Sequence, residues 1–321
     1  MPNVQKVHID KVLSNISLGY KNEQLIADQI FLPVPVGKQS DRYYVWGKEA
    51  FRLEDDARAA GTEANEINWT LSTDTYFCEG HALRHAIADE EKQNADDEFD
   101  LESEAVELLT SKILLNKENN AASIMLDANN YDSGLVYNMG VSNQPKKWSN
   151  FAESDPILDI AKAKEKVHKM SGVRLNTLVI SETVYNVLKI HPKILKLFSG
   201  ISPVSIATLE QIRLALGVDK ILVGSALKSS ANNPAQEDNL GYVWGNSAVL
   251  CYIPPKPGKK IQAFGYTFMW NKDGDGPVQV RKWYEPSRRA TIIEAERWYS
   301  HKIISKVAGF LFADAVEPIG G

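Results

Sequence analysis

Between about Asp96 and Asp127 the apolar residues of this chain fall into two neighbouring lines. Leu101, Ala105, Leu108, Leu115, Ala122 and Leu126 form one; Val106, Leu109, Ile113 and Ile124 form the other. That spacing predicts a single amphipathic helix. No Gly or Pro interrupts it. Asp97 or Asp100 stands where a cap is needed, and Asp96, Asp97, Glu98, Glu102 and Glu104 place negative charge where the helix dipole favours it. About 28 residues at ~1.5 Å each make a rod of roughly 40 Å, longer than the usual three or four turns. Such a rod needs a sheet or a second helix along its length. Taken alone, this is the pattern of a long core helix in any α/β protein.

The chain before the rod reads as extended. Val4, Val7, Ile9, Val12, Leu13 and Ile16 predict a short helix or an arm. Pro33 and Pro35, two apart within Ile30–Gly37, keep that piece extended and remove two ladder hydrogen bonds. Such an arm lies either on its own domain or on a neighbouring subunit. Arg42–Trp46 reads as a strand, and Ile67–Cys78 alternates as another. Between them, Glu54–Glu66 is charged and rich in Ala and Gly. The stretch from about Arg42 to Cys78 is therefore a long two-stranded excursion with a polar tip. A lone ribbon is marginal in water, so it needs a surface to lie on. His81–Glu91 predicts a short helix through Leu83, Ala86 and Ile87. His81 and His85, four apart, lack a third ligand at motif spacing and are read as packed or solvated histidines.

After the rod, Asn129–Phe151 is loop-like. Asp155-Pro156 opens a helix that Gly172 ends. Asn176–Ile180 is a short buried strand. Ser181–Leu188, Ile194–Phe198 and Thr208–Leu216 are helical, the last stopped by Gly217. Ile221–Gly224 is a strand, so residues 155–225 form an α/β unit. Lys228–Asn239 is an exposed loop. Gly241–Trp244 and Ala248–Ile253 read as strands around a turn at Gly245-Asn246. Ala263–Trp270, Val278–Tyr284 and Thr291–Tyr299 are strong strands. Asn271–Gly276 is a turn; its Asp273 and Asp275 lack the rest of a calcium-loop pattern. Ile303–Phe312 closes the chain with a last apolar strand.

Composition narrows the function classes. The 321 residues carry a formal net charge of −5, which argues against a dedicated nucleic-acid binder. No apolar run approaches the ~20 residues of a membrane span, and Met1–Asp10 lacks a signal-peptide core. Cys78 and Cys251 have no metal-type neighbours, so neither a disulfide framework nor a zinc cluster is expected; a reducing cytoplasm suits them. There is no Gly-x-Gly-x-x-Gly after a strand, no Walker loop, no His-Glu-x-x-His and no nucleophile elbow. Gly200–Val204 comes nearest to an elbow but lacks its final Gly and carries Pro203. No catalytic, cofactor or metal residue is proposed, which shifts weight towards a structural role.

The order of parts is arm, long loop, acid-opened helix, α/β unit and returning strands. In it, and in Arg58-Ala59-Ala60-Gly61-Thr62-Glu63, Trp69-Thr70-Leu71, Tyr76, Ala105–Met125, Asn176–Ser181 and Arg289–Phe312, the chain resembles the major capsid proteins of tailed bacteriophages, the Hong Kong ninety-seven type. The resemblance spans nearly the whole chain. It implies an α+β fold with an N-terminal arm (1–40), an extended loop over a neighbour (41–80), a peripheral domain with a spine helix (81–149), an axial domain (150–261) and return strands of the peripheral domain (262–321). It implies a shell subunit that assembles with copies of itself into hexamers and pentamers in the host cytoplasm, becomes part of the virion, and encloses double-stranded DNA non-specifically. A portal protein is an expected partner. Too little chain precedes the loop for a cleaved scaffolding segment, so a separate scaffolding protein is expected. Lys48, Lys146, Lys147 and Asn68 are not marked for a covalent cross-link. Glu54, Asp55, Asp56, Arg58, Glu63 and Trp69 are the candidate inter-subunit contacts. An encapsulin-type compartment, or an α/β enzyme using the loop as a lid or dimer arm, stays open at this point.

Overall fold

A computed structural model describes residues 25–45, 57, 63, 72–94, 100–198, 206–229, 240–258, 261–271 and 278–317 of the chain. Two sheets organise it. The first is built on one long strand, β13 (Ala290–Ile303). β4 (Glu79–Ala88) pairs antiparallel with its Ala290–Tyr299. On the other edge β12 (Gln279–Glu285) pairs with Ala290–Glu296, and β11 (Gly265–Trp270) with Tyr299–Ile303. β1 (Leu32–Val36) adds to β11 in parallel and ends the sheet. An edge is where Pro33 and Pro35 cost least, because one side of the strand needs no donors.

The predicted rod is helix α3, Leu101–Leu126; the α1 and α2 that precede it are Ala27–Ile30 and Asp89–Asn94. Asp100 is the cap, accepting from the backbone N–H groups of Glu102 and Ser103. Residues 95–99, including Asp97, lie outside the described residues. Val106, Leu109 and Ile113, with Ala105, bury against Ile87, Val280, Ile293 and Ala295 of the sheet. Further along, Ala121, Ala122 and Met125 enter a second, larger core. One helix thus runs through two cores.

The second sheet has the order β5-β14-β10-β6-β7: Val136–Asn138, Gly309–Ala313, Ala248–Cys251, Thr177–Ser181 and Lys220–Gly224. β6 and β7 are parallel. They are joined through helices α5 (Glu182–Lys189), α6 (Pro192–Phe198) and α7 (Leu209–Leu216), as a parallel pair requires. Helix α4 (Pro156–Ser171) starts on the Asp155 cap with Pro156 in its first turn, and Gly172 ends it at φ 67°. Thr208 and Gln211 form a capping box, and Gly217 closes α7 at φ 59°. Ile160, Ala163, Val167, Val184, Leu188, Ile194 and Ile212 all bury in the core of this sheet.

Three local expectations are corrected. His81–Ala88 is strand, and helix begins only at Asp89. Leu83, Ala86 and Ile87 suit a helical face, but Leu83, His85 and Ile87 also alternate, and ten residues of pairing with β13 decide between them. Leu240–Tyr242 and Ala248–Cys251 do not form a hairpin. The former, β9, pairs with β8 (Leu227–Ser229), and the latter enters the second sheet. The run read as one closing strand from Ile303 divides: β13 ends at Ile303 and β14 starts at Gly309, in the second sheet.

Candidate assembly surfaces

The excursion begins as a true ribbon. β2 (Ser40–Val45) and β3 (Ser72–Phe77) pair from Ser40↔Phe77 to Val45↔Ser72, and residues 46–71 connect their far ends. Only one face is held. Tyr43 and Tyr76 bury on Phe268 of the first sheet, with ring centroids 5.4 and 4.4 Å away, beside Val34, Val36 and Tyr266. Tyr43 donates its hydroxyl to Asp74 at 2.7 Å. The opposite face leaves Tyr44 38% and Phe77 54% exposed. Of the candidate contact residues, Glu63 is described and exposed; Glu54, Asp55, Asp56, Arg58 and Trp69 lie outside the described residues, as do Lys48 and Asn68.

The described part of the arm folds onto its own subunit. Glu118, buried on α3, accepts from the N–H groups of Ile26 and Ala27 at 2.8–3.1 Å, and from the Trp244 indole at 2.7 Å. A carboxylate 91 residues away therefore supplies the start of α1 with the acceptor its buried first donors lack within the helix. Trp244 comes from the second body and covers Gly224, where a Cβ would stand 2.1 Å from the indole ring. Next to it, buried Lys117 pairs with Asp28 and lies 5.8 Å from the centre of the Tyr299 ring. Burial and the neighbouring Arg297 bring the Lys117 amine down to about 8, against the pull of Asp28. Burial raises the Glu118 carboxyl, opposed by the three N–H groups it accepts. Thr267 donates to the Phe31 carbonyl at 3.0 Å and so receives the proton of His301 Nδ1, 2.8 Å away. Lys117 and Glu118 stand between the two cores, making a joint of arm, spine and second body. A readable signal existed: Lys117 falls four residues after Ile113, the next position of a core line, where a charge is out of place.

No catalytic arrangement emerges from the buried histidine of the second body. Ser154 Oγ lies 3.0 Å from His191 Nε2, and both residues are buried. His191 Nδ1 accepts the Lys193 N–H, so Nε2 carries the proton towards the serine. A base that activates a hydroxyl must present a bare nitrogen. Burial, then Lys193, lowers this imidazole to about 4, and it acts as a neutral pin between the loop before α4 and the start of α6. His81 and His85 sit four apart on a strand, about 13 Å of backbone, too far to share an ion; His81 stacks on Tyr299 at 4.3 Å.

Charge is unevenly shared. Residues 79–132 hold fourteen Asp and Glu against four Lys and Arg, whereas residues 150–261 hold nine against fourteen. Several acids of the first group are paired, as where Glu102 meets Lys92 at 2.6 Å and Lys282 at 2.5 Å.

Across 279 residues the chain is 30% identical to the major capsid protein of Burkholderia phage BcepMu, covering 85% of this chain and 86% of that one. It belongs to the phage major capsid proteins. The major capsid protein of Pseudomonas phage JBD67 is 27% identical over 276 residues, covering 84% of this chain and 85% of that one. No family model matches. Among solved structures, a phage-related protein from Bordetella bronchiseptica RB50 superposes with a TM-score of 0.77 at 26% identity, over 98% of this chain and 99% of that one. The capsid of cyanophage P-SCSP1u shares the fold with a TM-score of 0.57 at 8% identity, covering 88% of this chain and 85% of that one. So does an encapsulin from Synechococcus elongatus PCC 7942, at 0.53 and 12%, over 100% and 95%. The α+β architecture is thus the phage capsid fold, and this capsid protein is a structural component of a shell and of the virion.

Proposed function

We propose that this chain builds a closed icosahedral shell around double-stranded DNA, without catalysis, by laying its loop on neighbouring copies. The ribbon carries this reading: one face is pinned by Tyr43 and Tyr76, the other is open, and the sequence Glu54–Glu66 between its strands offers no core-forming side chains. Residues 1–40 serve as the arm, 41–80 as the loop, 81–149 as the peripheral domain with the spine, 150–261 as the axial domain around hexamer and pentamer centres, and 262–321 as returning strands. Glu54, Asp55, Asp56, Arg58, Glu63 and Trp69 are the loop contacts. Exposed ion pairs are worth only ~0–1 kcal/mol each, so adhesion comes from repeated apolar contact, with charge setting register. A separate scaffolding protein and a portal protein join assembly in the host cytoplasm.

Expression with a candidate scaffolding partner, followed by electron microscopy and sedimentation, tests this. The full chain is expected to give closed particles of tens of nanometres. A variant with residues 46–71 replaced by an Asn-Gly turn is expected to keep its circular dichroism and stay unassembled. A small discrete oligomer of the full chain under every condition would sink the shell reading.

A further inference from the structure

We draw no further inference here: the strongest candidate, the buried cluster of Lys117, Arg297 and His301 between the spine and the first sheet, belongs to the joint already described, where the carboxylates of Asp28 and Glu118 balance its two cations.

Discussion

Glu118 does for the arm what a capping side chain usually does within its own turn, and it does so while buried. Removing it orphans two backbone donors and one indole donor, each costing ~1–3 kcal/mol when buried without a partner. Glu118→Ala is accordingly expected to cost about 3 kcal/mol or more, read from urea midpoints, and Glu118→Gln, which keeps one acceptor oxygen, clearly less. The buried histidines set a pH dependence. Burial holds His301 at about 3 and His191 at about 4, against ~6.5 when unfolded. Below pH 6.5 the unfolded chain gains protons that the folded one refuses, so stability falls as pH falls towards 4, by about 1.4 kcal/mol per pH unit for each histidine. Melting temperatures at pH 7 and pH 5 should show this drop, and His301→Gln should flatten it. None of these roles was legible beforehand. A sequence shows that a Glu or a His is present; only partners distant in sequence, 91 residues for Glu118, 37 for His191 and 34 for His301, make it a cap or a neutral pin.

The spine helix was legible almost to its ends, because periodicity, capping acids and the absence of Gly and Pro all agreed. Its cap is the simplest check: Asp100→Ala should cost about 1 kcal/mol, seen as a lower urea midpoint with an unchanged slope. The α/β unit was equally readable from Pro156, Gly172, Thr208 and Gly217, each marking a real boundary. β4 was not. Its local pattern fits helix and strand alike, and its partner in β13 lies some 200 residues away. Distance also hid the destination of Ala248–Cys251, whose partners Thr177–Ile180 and Gly309–Phe312 lie some 60–70 residues away, and these claim the strand from a hairpin with nearby Leu240–Tyr242. Of the proposed loop contacts, Glu63 lies among the described residues and is exposed.

At the scale of the molecule, two cores share one helix. Ala105–Ile113 belong to the first and Ala121–Met125 to the second, and Lys117 and Glu118 couple them. Each sheet also has one buried thiol against it, Cys78 in the cluster that pins the ribbon to the first sheet and Cys251 in the core of the second. Burial raises Cys78 to about 11 and Cys251 further, so neither reacts while its body is closed. Pulsed thiol labelling in urea, read by mass spectrometry, should find both cysteines opening together in the parent chain. In Glu118→Ala they should open at different urea concentrations, because the joint no longer makes the two bodies unfold as one. Coincident opening in the variant would show that α3 alone couples them.

The pairing of β4 with β13 and of β1 with β11 also has a consequence in time. The first sheet cannot close until residues near 303 have left the ribosome, more than 200 residues after its earliest strands. At ~5–20 residues per second this wait lasts roughly tens of seconds. The platform that orients the ribbon, and the wall of β4 beside the spine, are completed only once residues near 303 are available to pair. A nascent chain shorter than that has no finished first sheet to offer its neighbours.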